Sequence, residues 1–98
     1  MTRQELINRS EAYIRQILRE YIPLQARINL YGSRANGDNR WNSDYDLWID
    51  SEISGRILSE LIEELDESFV PFRVEIVTTP QLTGRFGERV KQEARPWI

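Results

Sequence analysis

Along residues 3–21 apolar side chains return at helical spacing: Leu6, Tyr13, Ile14, Ile17, Leu18 and Tyr21 stand among arginines and glutamates. This predicts a helix packed along one side and closed by Pro23. From Ala26 the period drops to two, with Ile28 and Leu30 alternating with Arg27, Asn29 and Tyr31, the pattern of a short strand running into Gly32. Residues 32–43, GSRANGDNRWNS, hold turn formers and one aromatic and predict a loop with room for one helical turn from Ser33. Tyr45, Leu47 and Ile49 then alternate with Asp44, Asp46 and Trp48, a second strand apolar on one face and acidic on the other. Ser54 supplies an N-cap for a helix striped by Ile57, Leu58, Leu61, Ile62 and Leu65, with Glu60, Glu63, Glu64 and Glu67 toward water and Pro71 beyond its end. Residues 72–78, FRVEIVT, alternate again: Val74 and Ile76 share one face, Arg73, Glu75 and Val77 the other. A last helix is expected from Pro80 toward Arg95, weakened by Gly84 and Gly87 and stopped before Pro96. The order helix, strand, loop, strand, helix, strand, helix predicts an α/β (α+β) fold, a small mixed sheet of three to four strands with helices on one face. Residues 1–98 are read as a single domain, which is the usual size for one core.

Composition narrows the chemistry. The chain has no cysteine and no histidine, which excludes disulfides, zinc fingers, iron–sulfur clusters and imidazole general bases. Catalysis is left to carboxylates, hydroxyls or a metal ion. Thirteen basic against sixteen acidic residues give a net charge of −3, the wrong sign for a domain that lives on duplex nucleic acid. The opening MTRQELINR has no apolar signal core and no run is long enough to span a membrane, so a cytoplasmic protein is expected.

The candidate chemistry lies on the second and third strands. Alternate residues of a strand point the same way roughly 7 Å apart, so Asp44 and Asp46 project from one face, away from Tyr45 and Leu47. Glu75 takes the corresponding face of the third strand, and if the two strands are neighbours three carboxylates converge. Clustered anions repel one another in a partly dry site, a cost that a hard cation relieves, and magnesium suits an all-oxygen ligand set. A D-x-D pair alone also describes the wet face of an ordinary edge strand. An EF-hand starting at Asp44 fails, because Ile49 stands where that loop needs glycine and Gly55 where it needs glutamate. Gly32 and Ser33 sit where the first strand ends and a helical turn could begin, a place where backbone amides and a hydroxyl donate to phosphate oxygens, although Gly-Ser alone reads first as an ordinary turn. A Walker loop is excluded, since Asp38 stands where its lysine must be. Arg34 and Arg40 could reach such phosphates, although each taken singly reads first as a solvated surface arginine. Tyr31, Trp48 and Val77 fall on the acidic side of the sheet, which predicts a patch needing cover, by a partner or by an oligomer formed through the open face.

Taken together, LYGSRANGD, ten residues between Ser33 and Asp44, SDYDLWID, and V-E-I at 74–76 resemble the minimal nucleotidyltransferase family of the DNA polymerase beta-like superfamily, over nearly the whole chain. The resemblance implies magnesium-dependent nucleotidyl transfer. Gly32 and Ser33, with Arg34, would grip the triphosphate of ATP, Asp44 and Asp46 would bind two Mg2+ ions, and Glu75 would complete the ion that activates the acceptor hydroxyl. It further implies an antitoxin that attaches AMP to a tyrosine of a cognate helical toxin of the HEPN type. The alternative is a catalytically idle binding module that neutralises or scaffolds a helical partner by contact. Two features depart from the family pattern: the third carboxylate is a glutamate where aspartate is common, and EARPWI replaces a glycine-containing turn.

Overall fold

A computed structural model describes residues 1–98. Helix α1 spans Arg3–Tyr21; Thr2 caps it by accepting from the Glu5 amide at 3.1 Å, and Ile22 ends it just before Pro23. Strand β1 (Arg27–Tyr31) follows, then the single turn α2 (Ser33–Asn36), strand β2 (Tyr45–Asp50), helix α3 (Gly55–Asp66) and strand β3 (Val74–Thr78). A 3-10 turn, Thr79–Gln81, leads to helix α4 (Gly84–Glu93) and the two-residue strand β4 (Arg95–Pro96). Ser54 caps α3 as its sequence predicts, accepting from the Ile57 amide at 3.2 Å.

The sheet runs β3-β2-β1-β4. β1 and β2 are antiparallel, with Tyr31 opposite Asp46, whereas β2 and β3 are parallel, with Asp46 beside Glu75. A parallel neighbour needs a crossover, and α3 provides it. On the apolar face Ile28, Tyr45, Leu47 and Ile49 meet Ile14, Ile17 and Leu18 of α1 and Leu61 and Leu65 of α3 in one core. Tyr45 keeps its hydroxyl satisfied there by donating to Glu11 at 2.7 Å. No helix is long and apolar enough to cross a membrane.

Three boundaries and one buried stripe differ from the sequence pattern. β3 opens at Val74 rather than Phe72, because the Phe72 ring turns into the core and packs edge-on against Tyr45 at 5.6 Å. Pro80 begins no long helix: Thr78 and Gln81 close a capping box around the 3-10 turn, and α4 starts afresh at Gly84, which holds φ 60°. Beyond α4 the chain pairs with β1, the Trp97 amide donating to Ile28 at 2.9 Å, so the segment expected to end as helix finishes as strand. Ile57 and Ile62, expected in the buried stripe, stay more than a third exposed.

The acidic face of the sheet is also not open. Leu82 and Val90 close over Tyr31, with Trp48 and Val77 against them, leaving Tyr31 only 6% exposed. Trp48 donates from its indole to Thr79 at 3.0 Å, and Thr79 in turn donates to Asp50 at 2.8 Å. Gly87 lets α4 ride directly on the Leu82 backbone, since a Cβ there would lie 2.5 Å from the Leu82 carbonyl carbon. The patch expected to need a partner or a second copy is thus covered in large part by the chain's own C-terminal segment.

Candidate active site

Gly32 holds φ 73° and ψ −152°, a conformation that costs a side chain heavily. A Cβ would also stand 2.6 Å from Oδ2 of Asp46. Glycine therefore serves two ends here: it turns the chain from β1 into α2, and it lets the Asp46 carboxylate lie against the turn. In α2 the Asn36 amide bonds back to Gly32 at 3.0 Å and the Gly37 amide to Ser33 at 3.0 Å. The amides of Ser33, Arg34 and Ala35 have no carbonyl one turn behind them within the helix.

Asp44 immediately precedes β2, whose first amide, that of Tyr45, donates to Arg73 at 2.9 Å and so starts the parallel pairing. Asp46 lies between Tyr31 on one side and Glu75 on the other. Its carboxyl is pushed above the usual aspartate range, first by burial and then by the negative charges of Glu75 and Asp44, with Arg89 opposing. The same acids act on Tyr31, whose phenol is raised to about 12 mainly by burial and next by Asp46 and Glu75. Glu75 turns toward its own strand, its Oε1 2.8 Å from Nη2 of Arg73. No three acidic groups are gathered as a finished metal cradle. The donor set nevertheless suits a hard cation, because it is all oxygen and the Asp46 charge is poorly compensated. The Arg73 pair is half exposed and correspondingly weak, so it offers little resistance to a competing cation.

Arg34, expected at the phosphates, is bound to the loop before β2 in this structure. Its Nε and Nη2 donate to the Ser43 carbonyl at 3.0 and 2.9 Å, and Nη2 also reaches the Trp41 carbonyl at 2.9 Å. The guanidinium lies 3.9 Å over the Tyr45 ring. It clamps the loop that leads into Asp44.

The sequence pattern missed the wall that α4 contributes. Asn36 donates to Glu93 at 2.9 Å, tying the Gly32 turn to α4, and Arg89 is the cation acting on both Asp46 and Tyr31. Arg89 and Glu93 are spaced four apart, as expected on one helical face, but which face of the sheet that helix covers is a tertiary fact.

The family model described as nucleotidyltransferase domain matches residues 12–98. Among solved structures, a toxin–antitoxin crystallised with AMP-PNP superposes with a TM-score of 0.70 at 26% identity, covering 89% of this chain and 72% of that one. A structure assigned as a minimal nucleotidyltransferase gives 0.66 at 29% identity and covers 99% of this chain and 97% of its own. A mutant MntA–HpeT toxin–antitoxin, at 22% identity and a TM-score of 0.67 over 89% of this chain and 71% of that one, shares the fold. No curated protein matches the sequence. The chain belongs to the nucleotidyltransferase domain family, as one of its minimal members.

Proposed function

We propose that the protein is an antitoxin that transfers AMP from ATP to a tyrosine hydroxyl of a cognate HEPN-type helical toxin. The observation that carries this reading is the contact between the Gly32 turn and Asp46, which sets a turn suited to phosphates against a carboxylate whose charge calls for a cation. The similarity to a toxin–antitoxin crystallised with AMP-PNP supports both the adenine nucleotide and the kind of partner.

In this reading the amides at the start of α2 and the Ser33 hydroxyl bind the terminal phosphates, where each charge-assisted hydrogen bond is worth about 1.5–3 kcal/mol. Asp44 and Asp46 would hold two Mg2+ ions, with Glu75 completing the acceptor side; bound there, the ions neutralise phosphate charge and ease ionisation of the acceptor. The acceptor oxygen forms a bond to the α-phosphorus as the bond to pyrophosphate breaks, and the hydroxyl proton is lost to solvent. Docking of the toxin supplies the orientation of its hydroxyl. Arg34 keeps Asp44 in place, while Asn36 and Glu93 hold the phosphate turn against α4.

The test is mass spectrometry of the toxin after incubation with the protein, Mg2+ and ATP. An adenylate adduct is expected with the wild type, none with Asp44→Asn or Asp46→Asn, and little with Glu75→Gln. A toxin neutralised without adduct, and equally by Asp44→Asn, establishes the contact-only module instead.

A further inference from the structure

We propose that α4 supplies the nucleotide grip of this site, the base stacking on Phe86 and the guanidinium of Arg89 engaging a phosphate; this rests on the nucleotidyl-transfer reading above. Phe86 is 40% exposed, although its neighbour Val90 on the same helix is fully buried. Its ring meets Tyr31 edge-on at 6.4 Å and 82°, so its orientation is set by a buried residue that pairs with Asp46 across the sheet. Arg89 lies 5.7 Å from the Phe86 ring, and Arg85, Phe86 and Arg89 line an open recess of about 240 Å³.

Three features distinguish this group from an ordinary solvated helix face. Gly87 seats α4 on the Leu82 backbone, and the Asn36–Glu93 hydrogen bond ties the same helix to the Gly32 turn, so the recess is held at a set position relative to the candidate phosphate turn. Arg89 has only a long contact with Glu93, 3.9 Å, and its side chain is 64% exposed, so its donors are available to a ligand. Glu93, which it approaches, also accepts from Asn36 of α2, which places Arg89 on the side of α4 that faces the Gly32 turn. An arginine next to carboxylates has little to hold there once cations occupy them, whereas a triphosphate offers a matching fork of oxygens. A part-exposed aromatic ring with an arginine over it is a usual means of holding a base by stacking and cation–π contact.

Calorimetric titration in Mg2+ with two probes, ATP and inorganic tripolyphosphate, separates the two contacts. Phe86→Ala and Phe86→Leu are expected to weaken ATP binding about 5- to 100-fold while leaving tripolyphosphate unchanged, and Phe86→Trp is expected to retain ATP binding. The leucine variant keeps apolar bulk against Tyr31, and thermal melting confirms that each variant is folded. Arg89→Ala is expected to weaken both probes about tenfold or more. Phe86→Leu binding ATP as tightly as the wild type, or losing both probes alike, overturns the assignment while leaving nucleotidyl transfer standing. A wild type that binds neither probe overturns both.

Discussion

The two faces of β2 carry opposite physics on one six-residue strand. Tyr45, Leu47 and Ile49 are wholly buried, packed by α1 and α3, and every methylene there is stabilising. On the other face Asp46 and Trp48 are half-buried, and Asp46 is held in an environment that disfavours its charge. The first face supplies the stability that the second consumes. A strand of alternating character lets one element do both, because neighbouring residues point in opposite directions.

Breaking the dry face gives the largest effect. Leu47→Ala is expected to cost about 2–5 kcal/mol, read from the urea midpoint, with nucleotide binding lost only as far as the folded fraction falls. Next come the two glycines by which the acidic face is built. Gly32→Ala places a side chain at positive φ and against Asp46, and should cost about 1–3 kcal/mol and abolish nucleotide binding even in the molecules that remain folded. Gly87→Ala should cost a similar amount, about 1–3 kcal/mol, by lifting α4 from Leu82, and should leave the Gly32 turn itself in place.

Asp46→Asn should reverse the sign. Its carboxyl has a raised pKa in the folded state, so between the ordinary aspartate value and the raised one the folded chain binds more protons than the unfolded one. Stability therefore falls as pH rises through that window and stays lowered above it. The asparagine variant, free of this penalty, should melt higher than the wild type at neutral pH without metal, and the gain should vanish below the ordinary aspartate range. A variant that melts lower at neutral pH would show that the carboxylate is stabilising after all. The smallest effect is expected at Ser10, wholly buried in α1 with its hydroxyl unpartnered. Ser10→Ala should be neutral or stabilising by up to about 1 kcal/mol in a denaturant titration.

Most of the helical and strand framework was legible in the chain because local signals agreed with tertiary packing. The bounds of α1, the Ser54 cap and the alternation of β2 each follow from neighbouring residues alone. β4 was not legible, since two residues including Pro96 carry no periodicity and become strand only by pairing with β1. The side on which α4 lies was equally hidden, and with it the roles of Asn36, Arg89 and Glu93. Alternation shows which face Asp46 and Glu75 share, but only the sheet order shows that they are neighbours. The contacts of Arg34 were hidden as well, since its loop folds back and offers it two carbonyls that no local pattern announces.

The parallel pairing of β2 with β3 also bears on the order in which the molecule opens and closes. β1 and β2 pair antiparallel through the shorter of the two connections, whereas Asp46 and Glu75 become neighbours only when the α3 crossover has docked, after a longer loop has closed. Repulsion between Asp46 and Glu75 thus arises only at that docking step, which lowers the cost of detaching β3 from β2. Amide exchange in Val74–Thr78 should outpace that of β1 and β2 in metal-free buffer and slow selectively in Asp46→Asn. Charge at the carboxylates would then set how long the third strand stays attached, and with it the lifetime of the acidic face.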